Sequence, residues 1–379
     1  MHCAIVLYKF FPFGGMQRDC LRIIEALLAA GHRCTIYCMD WEGASPDGAE
    51  VRLLRRRGIR NHRRYEYFQL QLQAALIREP VDVVVGFNKM PGLHIYFAAD
   101  PCFVEKIAHS SSPVARRGGR YRLFRRWEAA VFERSGTTKI LLLCEAQRDA
   151  YLRHYDTPVK RLHVLPPGVD RSFCEIDDSA QRRKRLRSDI QADVDELVLL
   201  FVGSGFITKG LNRVIDGLAA LRHEQPSLCV RLLVAGSDKY RQFARRANRL
   251  GVGKSIEFLG GREDVQDLML ASDVLVHPAI SEAGGVVLLE ALACGLPVVT
   301  TDVCGYAPHV SAARGGIVLP SPFDQDALNK AIMRNIDGVF RAERRESALR
   351  YARLTDLYSL PAKAVKHIED AVASNTLHD

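Results

Sequence analysis

The sequence predicts an α/β fold built from two Rossmann-like domains, each a parallel sheet covered by helices on both faces. Three observations point there. The chain has 379 residues, the length of two domains at roughly 100–200 residues each. Short apolar runs alternate with stretches of helical period along most of it, as in parallel strands joined by helical crossovers. Both halves also open in the same way, with an apolar strand, a glycine-bearing loop and an amphipathic helix.

In the first half, residues 2–7 form the opening apolar run. The loop that follows ends in Gly14-Gly15, and Met16, Cys20, Ile23, Ile24 and Leu27 then recur at helical spacing, with Gly31 placed to stop the helix. In the second half, residues 197–202 are the strand and 203–210 the loop. Leu211, Val214, Ile215, Leu218 and Leu221 line the helix face. Further strands are expected at 81–85, 140–144, 231–235, 256–259, 273–277 and 297–301. The domain boundary is placed near Pro166-Pro167-Gly168. This gives an N-terminal domain over 1–168, a C-terminal domain over 169–355, and a last helix over 356–379 that returns to the first domain. Residues 182–187 read as a polar, basic surface stretch.

Composition narrows the function. Hydrophobic residues make up 47% and charged residues 26%, values of a globular chain rather than a disordered one. No apolar run reaches the ~18 residues of a membrane span, and the N-terminus lacks the charged lead and apolar stretch of a secretion signal. The ten cysteines are scattered through apolar segments with no C-x-x-C pair. They are expected to be buried thiols rather than disulfides or zinc ligands.

The net charge of +9 is uneven. Residues 1–168 hold 26 Lys/Arg against 16 Asp/Glu, and the remainder holds 27 against 28. Two acid-free segments stand out. Residues 52–64 carry seven arginines. Residues 106–126 carry Lys106, Arg116, Arg117, Arg120, Arg122, Arg125 and Arg126, interleaved with Tyr121, Leu123 and Phe124, with Trp127 just beyond. Bases beside apolar rings suit an anionic membrane surface, where each base contributes about 1 kcal/mol and apolar groups wedge below the headgroups. The plain alternative is a solvated helical face. Nucleic acid is not expected, because no nucleic-acid-binding signature accompanies the charge.

In open α/β sheets ligands sit beyond the carboxyl ends of the strands, which directs attention to the loops at 8–15, 203–210 and 278–285. Neither glycine-bearing loop has the G-x-G-x-x-G or G-x-x-x-x-G-K-[ST] pattern, which argues against a nicotinamide dehydrogenase and a Walker-type ATPase. Lys209, between a strand end and a helix start, is well placed to neutralise a phosphate; a lone surface lysine is the alternative. Gly14-Gly15 offers a similar anion-binding turn. In the 281–290 segment, Ser-Glu-Ala-Gly-Gly-Val-Val-Leu-Leu-Glu, Glu282 and Glu290 stand eight positions apart. On one helix they would be ~12 Å apart, too far for an acid/base pair on one bond, where carboxylates sit about 5–9.5 Å apart. Binding the two ends of an elongated ligand fits better, with Gly284-Gly285 letting backbone amides approach an anion.

Lys209-Gly210 followed by Glu282-x7-Glu290 in a second α/β domain resembles the retaining GT-B glycosyltransferases of family 4. Further stretches, at 7–15, Trp41-Glu42-Gly43, 86–93, Phe97-Ala98-Ala99-Asp100 and Val303-Cys304-Gly305-Tyr306, are similar to the branch that adds the first hexose to the inner-core heptose of bacterial lipopolysaccharide. The resemblance runs from about residue 4 to Pro361. It implies a GT-B fold, with the two domains facing across a cleft, and a UDP-hexose donor, glucose favoured, bound mainly by the C-terminal domain.

The residue roles follow from the same resemblance. Glu290 would take the ribose hydroxyls, Glu282 the hexose hydroxyls and Lys209 the diphosphate. The Gly14-Gly15 turn and the Ala283, Gly284, Gly285, Val286 stretch would help, and Lys209, Glu282 and Asp100 would carry the catalytic roles. Asp19, Lys89 and Asp100 would face the acceptor, a lipid-linked heptose-containing core on the cytosolic leaflet of the inner membrane. By position alone, Asp19 reads as a surface complement to the helix dipole and Asp100 as a cap. The family usually sets an arginine beside the lysine; here Thr208 and Ser204 stand in the candidate positions, so Arg171 or Arg213 would supply the second cation. No metal or other cofactor is expected, and Asp100 would position the acceptor or act as a weak base rather than as a nucleophile. The competing readings are a family 4 transferase with another UDP-hexose or acceptor, a sugar-nucleotide epimerase, and a non-catalytic membrane adaptor.

Overall fold

The computed structural model describes residues 1–108, 118–175 and 179–375. The chain divides into two compact units. One comprises Met1–Pro166 with Ser359–Asp379, and the other Pro167–Tyr358.

The first unit holds β1 (His2–Val6), β2 (Lys9–Phe10), β3 (Arg33–Cys38), β4 (Asp40–Trp41), β5 (Ala49–Leu53), β6 (Val83–Gly86), β7 (Ile95–Ala98), β8 (Lys139–Leu142) and β9 (Leu162–Val164). Seven of them form one sheet in the order β5-β3-β1-β6-β7-β8-β9, and β2 pairs separately with β4. Every pairing is parallel, with β1 in register with β3 from His2 against Arg33. The second unit holds β10 (Leu197–Val202), β11 (Val230–Ala235), β12 (Ile256–Gly260), β13 (Val274–His277), β14 (Val298–Thr301) and β15 (Gly316–Leu319). They run in the order β12-β11-β10-β13-β14-β15, again all parallel.

A parallel sheet covered on both faces leaves no polar side, so its strands read as continuous apolar runs. Residues 197–202 show why this works. Leu199, Leu200 and Phe201 are all fully buried although they alternate between faces, and each such side chain contributes about 1.5–3 kcal/mol of burial. The outer strands β5 and β12 are only half-buried. The five residues Ala-Glu-Val-Arg-Leu of β5 carry no apolar run, which is why the sequence shows no strand there. Strand β7 escapes notice because it merges into the apolar stretch that runs to Asp100.

Three expectations are corrected. Residues 182–187 are a surface stretch only in part; they lie on the helix Ser179–Asp189, where Lys184 and Arg185 are exposed. Arg187 is buried, and Arg183 donates to the carbonyls of Leu270 and Ser272 and to the Asp273 carboxylate at 2.7 Å. These guanidiniums bond the backbone where β13 begins. In the basic segment, Leu123 and Trp127 turn inward from the helix Gly119–Phe132 and belong to the core, so they have no freedom to wedge into lipid. Arg120, Arg122, Arg125 and Arg126 are exposed on the same helix; Arg116 and Arg117 lie outside the described residues. All ten cysteines are free thiols, and eight are buried, but Cys229 is exposed and Cys174 half-buried.

Candidate active site

The site in the second unit is assembled from three loops at strand ends. After β10, residues 203–210 turn into the helix Leu211–Glu224. Gly210 caps that helix in the left-handed region, φ +82°, and a Cβ there would be driven into the Pro278 carbonyl. Only glycine meets both demands. The close approach brings this loop against the segment after β13, where the Ile280 N–H donates to the Thr208 carbonyl at 2.8 Å. The segment after β14 closes the frame. Thr300 and Thr301 hydroxyls donate to the carbonyls of His277 and Ala279 at 3.0 and 2.8 Å. Glu282 bridges Cys304 as an isolated parallel pair, and the Tyr306 N–H donates to the Gly284 carbonyl at 2.8 Å. The backbone carrying Glu282 is thus held from both sides.

Within this frame Lys209 Nζ donates to Glu282 Oε2. The two side chains are 21% and 14% exposed, so the pair is shielded yet reachable. His277, at the end of β13 and 1% exposed, brings its Nε2 to 3.5 Å from the same carboxylate oxygen. Burial pushes the Glu282 carboxyl up, but His277 and Lys209 outweigh it and hold the group down at about 2. Glu282 is therefore an anion throughout the neutral range.

The helix after this loop spans Val286–Ala293 and is capped by Gly285 at φ +88°. Glu282 thus lies before the helix, and the ideal helical rise does not set its separation from Glu290. Glu290 is on the helix and completely buried, so the two glutamates share a spacing but differ in environment. Ala283 and Gly284 are buried, and Gly285 and Val286 half-buried.

The remaining candidates sort as follows. Arg213 donates to the carbonyls of Pro278 and Ala279 at 3.0 and 3.1 Å and lies 3.6 Å over the Phe323 ring; it holds the loop that carries the site. Arg171 lies 5.0 Å over the Tyr358 ring. In the first unit, Gly14 is the N-cap of the helix Gly15–Ala29 at an ordinary φ of −89°. The turn there is not left-handed, and a Cβ would meet the far ends of the Gln17 and Phe11 side chains. Asp19 is buried on that helix, 3.9 Å from Arg22, not on the surface as its position suggested. Asp100 is exposed two residues past β7, and its carbonyl accepts from Tyr151 at 3.4 Å. Lys89 lies in a buried network. Its ammonium donates to Glu128 at 2.5 Å and to the Pro101 carbonyl at 2.8 Å, and Glu128 also accepts from the N–H groups of Phe103 and Val104.

His277 was missed from sequence because it closes an apolar strand run, where a histidine looks like core. Its position directly at a strand's carboxyl end was the available signal. Among the described residues, no group of three or more His, Cys, Asp or Glu side chains could hold a metal ion.

Comparison with known proteins agrees with this frame. Residues 182–355 match the model of glycosyl transferases group 1, and residues 13–173 that of glycosyltransferase family 4. The chain is 42% identical over 371 residues to the lipopolysaccharide glucosyltransferase WaaG of Escherichia coli strain K12, covering 96% of this chain and 97% of that one. The chain belongs to this glycosyltransferase family. A crystal structure of WaaG, a glycosyltransferase involved in lipopolysaccharide biosynthesis, superposes with a TM-score of 0.93 at 41% identity, covering 97% of this chain and 99% of that one. The architecture is therefore the GT-B fold of the family. More distant likeness shows the fold alone: Anabaena Alr3699/HepE in complex with UDP-glucose has a TM-score of 0.75 at 18% identity, covering 99% and 100% of the two chains. A D-inositol 3-phosphate glycosyltransferase of Jonesia denitrificans is 29% identical over 205 residues, 51% of this chain and 47% of that one.

Proposed function

We propose that this family member transfers glucose from UDP-glucose to the inner-core heptose of lipopolysaccharide with retention of configuration. The observation that carries the reading is the meeting of Lys209 and Glu282 at the ends of β10 and β13, where open α/β sheets bind ligands. A lysine suited to phosphate and an ionised glutamate suited to sugar hydroxyls are the two chemistries a sugar nucleotide requires. The full-length identity to WaaG, named as a lipopolysaccharide glucosyltransferase, supports glucose and the core acceptor.

In this reading the barrier lies in charge building on the departing diphosphate. Preorganised cations and N–H groups act where that charge develops, and Lys209 is assigned to it. The acceptor hydroxyl attacks the same face of the sugar that UDP leaves, and the leaving phosphate takes its proton. Glu290 is assigned to the ribose. Gly14, Gly15 and Arg171 complete the proposed donor set, and Asp19 and Asp100 the acceptor side; Lys89, expected there from the sequence, is taken up by Glu128 and the Pro101 carbonyl. No metal step is included, so turnover in excess chelator should equal turnover without it; loss of activity rescued by a divalent cation would remove that part. The exposed Arg120, Arg122, Arg125 and Arg126 are proposed to hold the enzyme on the anionic cytosolic face of the inner membrane. Vesicle flotation with these four changed to serine tests this, and unchanged binding would remove it. No described helix is long and apolar enough to span a membrane.

The deciding experiment is turnover of UDP-glucose, UDP-galactose and their N-acetyl forms against a heptose-terminated core acceptor. Glucose transfer that depends on both UDP-glucose and acceptor is the expected result. Conversion of the donor without acceptor would indicate an epimerase, and vesicle binding without turnover an adaptor.

A further inference from the structure

Lys209 and Glu282, the groups assigned to phosphate and hexose, occupy each other when no ligand is bound. A donor phosphate therefore competes with Glu282 for the Lys209 ammonium. An intact sugar nucleotide compensates both, because its phosphate oxygens accept from Lys209 and its hexose hydroxyls donate to Glu282. UDP alone compensates only one. It draws Lys209 away and leaves a carboxylate that is 14% exposed, an unfavourable state for an uncompensated charge.

Among the described residues, the one other group facing that carboxylate oxygen in a charge contact is His277, at 3.5 Å. Its ring is buried at 1% exposure, and neither ring nitrogen meets a hydrogen-bond partner among the described residues. The ring is held in place by stacking against Phe201 at 6.0 Å and by the Thr300 bond to its own carbonyl. A buried imidazole with one nitrogen aimed at a carboxylate about to lose its lysine has a ready task. With a proton on Nε2 the ring donates to Glu282 and keeps it in place.

We propose that the Lys209–Glu282 pair is an exchangeable latch that favours UDP-sugar over UDP, and that His277 is the positioning residue that holds Glu282 while the latch is open. This rests on the donor reading above. When the sugar departs to the acceptor, Glu282 loses its hydroxyl partners and competes again for Lys209. The closing latch then weakens the hold on UDP and promotes product release.

Calorimetric titration of UDP and of UDP-glucose, without acceptor, tests the latch in the full-length wild type and in Glu282→Gln. The glutamine removes the charge that competes for Lys209. UDP is expected to bind about tenfold tighter to Glu282→Gln than to wild type, the scale of one charge contact, while UDP-glucose gains less or weakens, so the preference narrows. Unchanged or weaker UDP binding in the variant overturns the latch. If wild type binds UDP and UDP-glucose but the variant shows no such shift, the latch alone fails. If wild type binds neither, the donor reading fails and the latch with it.

For His277, replacement by leucine should raise the donor KM severalfold with kcat less affected, and glutamine, which restores a donor, should recover most of it. Equal loss in both variants with lowered thermal midpoints would mark His277 as core only and overturn its positioning role. If leucine does not fold, failure of the glutamine variant to keep a near-wild-type KM overturns that role equally.

Discussion

Each unit of this protein contains a lysine–glutamate pair near the carboxyl ends of its central strands, and the two pairs behave as opposites. In the first unit Lys89 meets Glu128, whose side chain is 0% exposed. Glu128 also accepts from two backbone N–H groups and, at 2.7 Å, from the Tyr155 hydroxyl. The Lys89 ammonium lies 5.6 Å from the Tyr151 ring. Charge, hydrogen bonds and packing are all satisfied internally, so the pair clamps the loop after β7 to the helix Gly119–Phe132. In the second unit Lys209 and Glu282 have, among the described residues, each other and one weakly placed histidine, and both remain partly open. A saturated pair is structure; an unsaturated pair that a ligand can compensate better is a site. The residue types are the same, and the number of partners decides.

The contrast breaks most visibly if the clamp is cut. Glu128→Ala leaves Lys89 charged and buried and should lower unfolding stability by about 3–5 kcal/mol, read as a shifted denaturant midpoint; a change near zero would mean that Lys89 is free to serve the acceptor. Lys209→Ala should do the reverse. Transfer falls by about 10²–10³, the scale of losing one preorganised donor, while the loss of stability stays smaller than that of Glu128→Ala, because Glu282 keeps some access to water. Equal losses of rate and stability would make the second pair structural as well. Gly210→Ala sharpens the view of the frame under the site. A left-handed non-glycine residue costs of order 1–3 kcal/mol, and here the Cβ also meets the Pro278 carbonyl, so both stability and donor affinity should drop together in melts and titrations.

A further effect is in pH. The Glu282 carboxyl is held at about 2 against an ordinary 4.5. A depressed carboxyl stabilises the fold above its unfolded pKa and loses that contribution as pH falls through the folded value. The difference in urea midpoint between wild type and Glu282→Gln should therefore be constant above about pH 5 and shrink from 4.5 toward 2. A difference that changes between pH 6 and 8 would rule out Glu282 as its source.

Much of this was legible in the residues themselves. The apolar runs of β1, β10, β11, β13 and β14 announce themselves because strands buried on both faces admit few polar residues. Gly210 and the 281–290 segment were visible as glycine-bearing stretches at strand ends, although the left-handed cap at Gly210 was not. Lys209 and Glu282 were recognisable by type and by position at strand ends. The edge strand β5 was not, since Glu50 and Arg52 break its apolar run, whereas the equally half-exposed β12 was expected. The inward turn of Leu123 and Trp127 was also hidden, because period alone does not say which helical face meets the core.

The local alphabet of this chain, its strand runs, stopping glycines and charged residue types, was determined by sequence, because each depends on neighbours a few positions away. Which lysine is saturated and which is left exchangeable was decided only by tertiary structure. Glu128 reaches Lys89 across 39 positions, and Glu282 reaches Lys209 across 73. The dielectric around each pair is set by everything packed between.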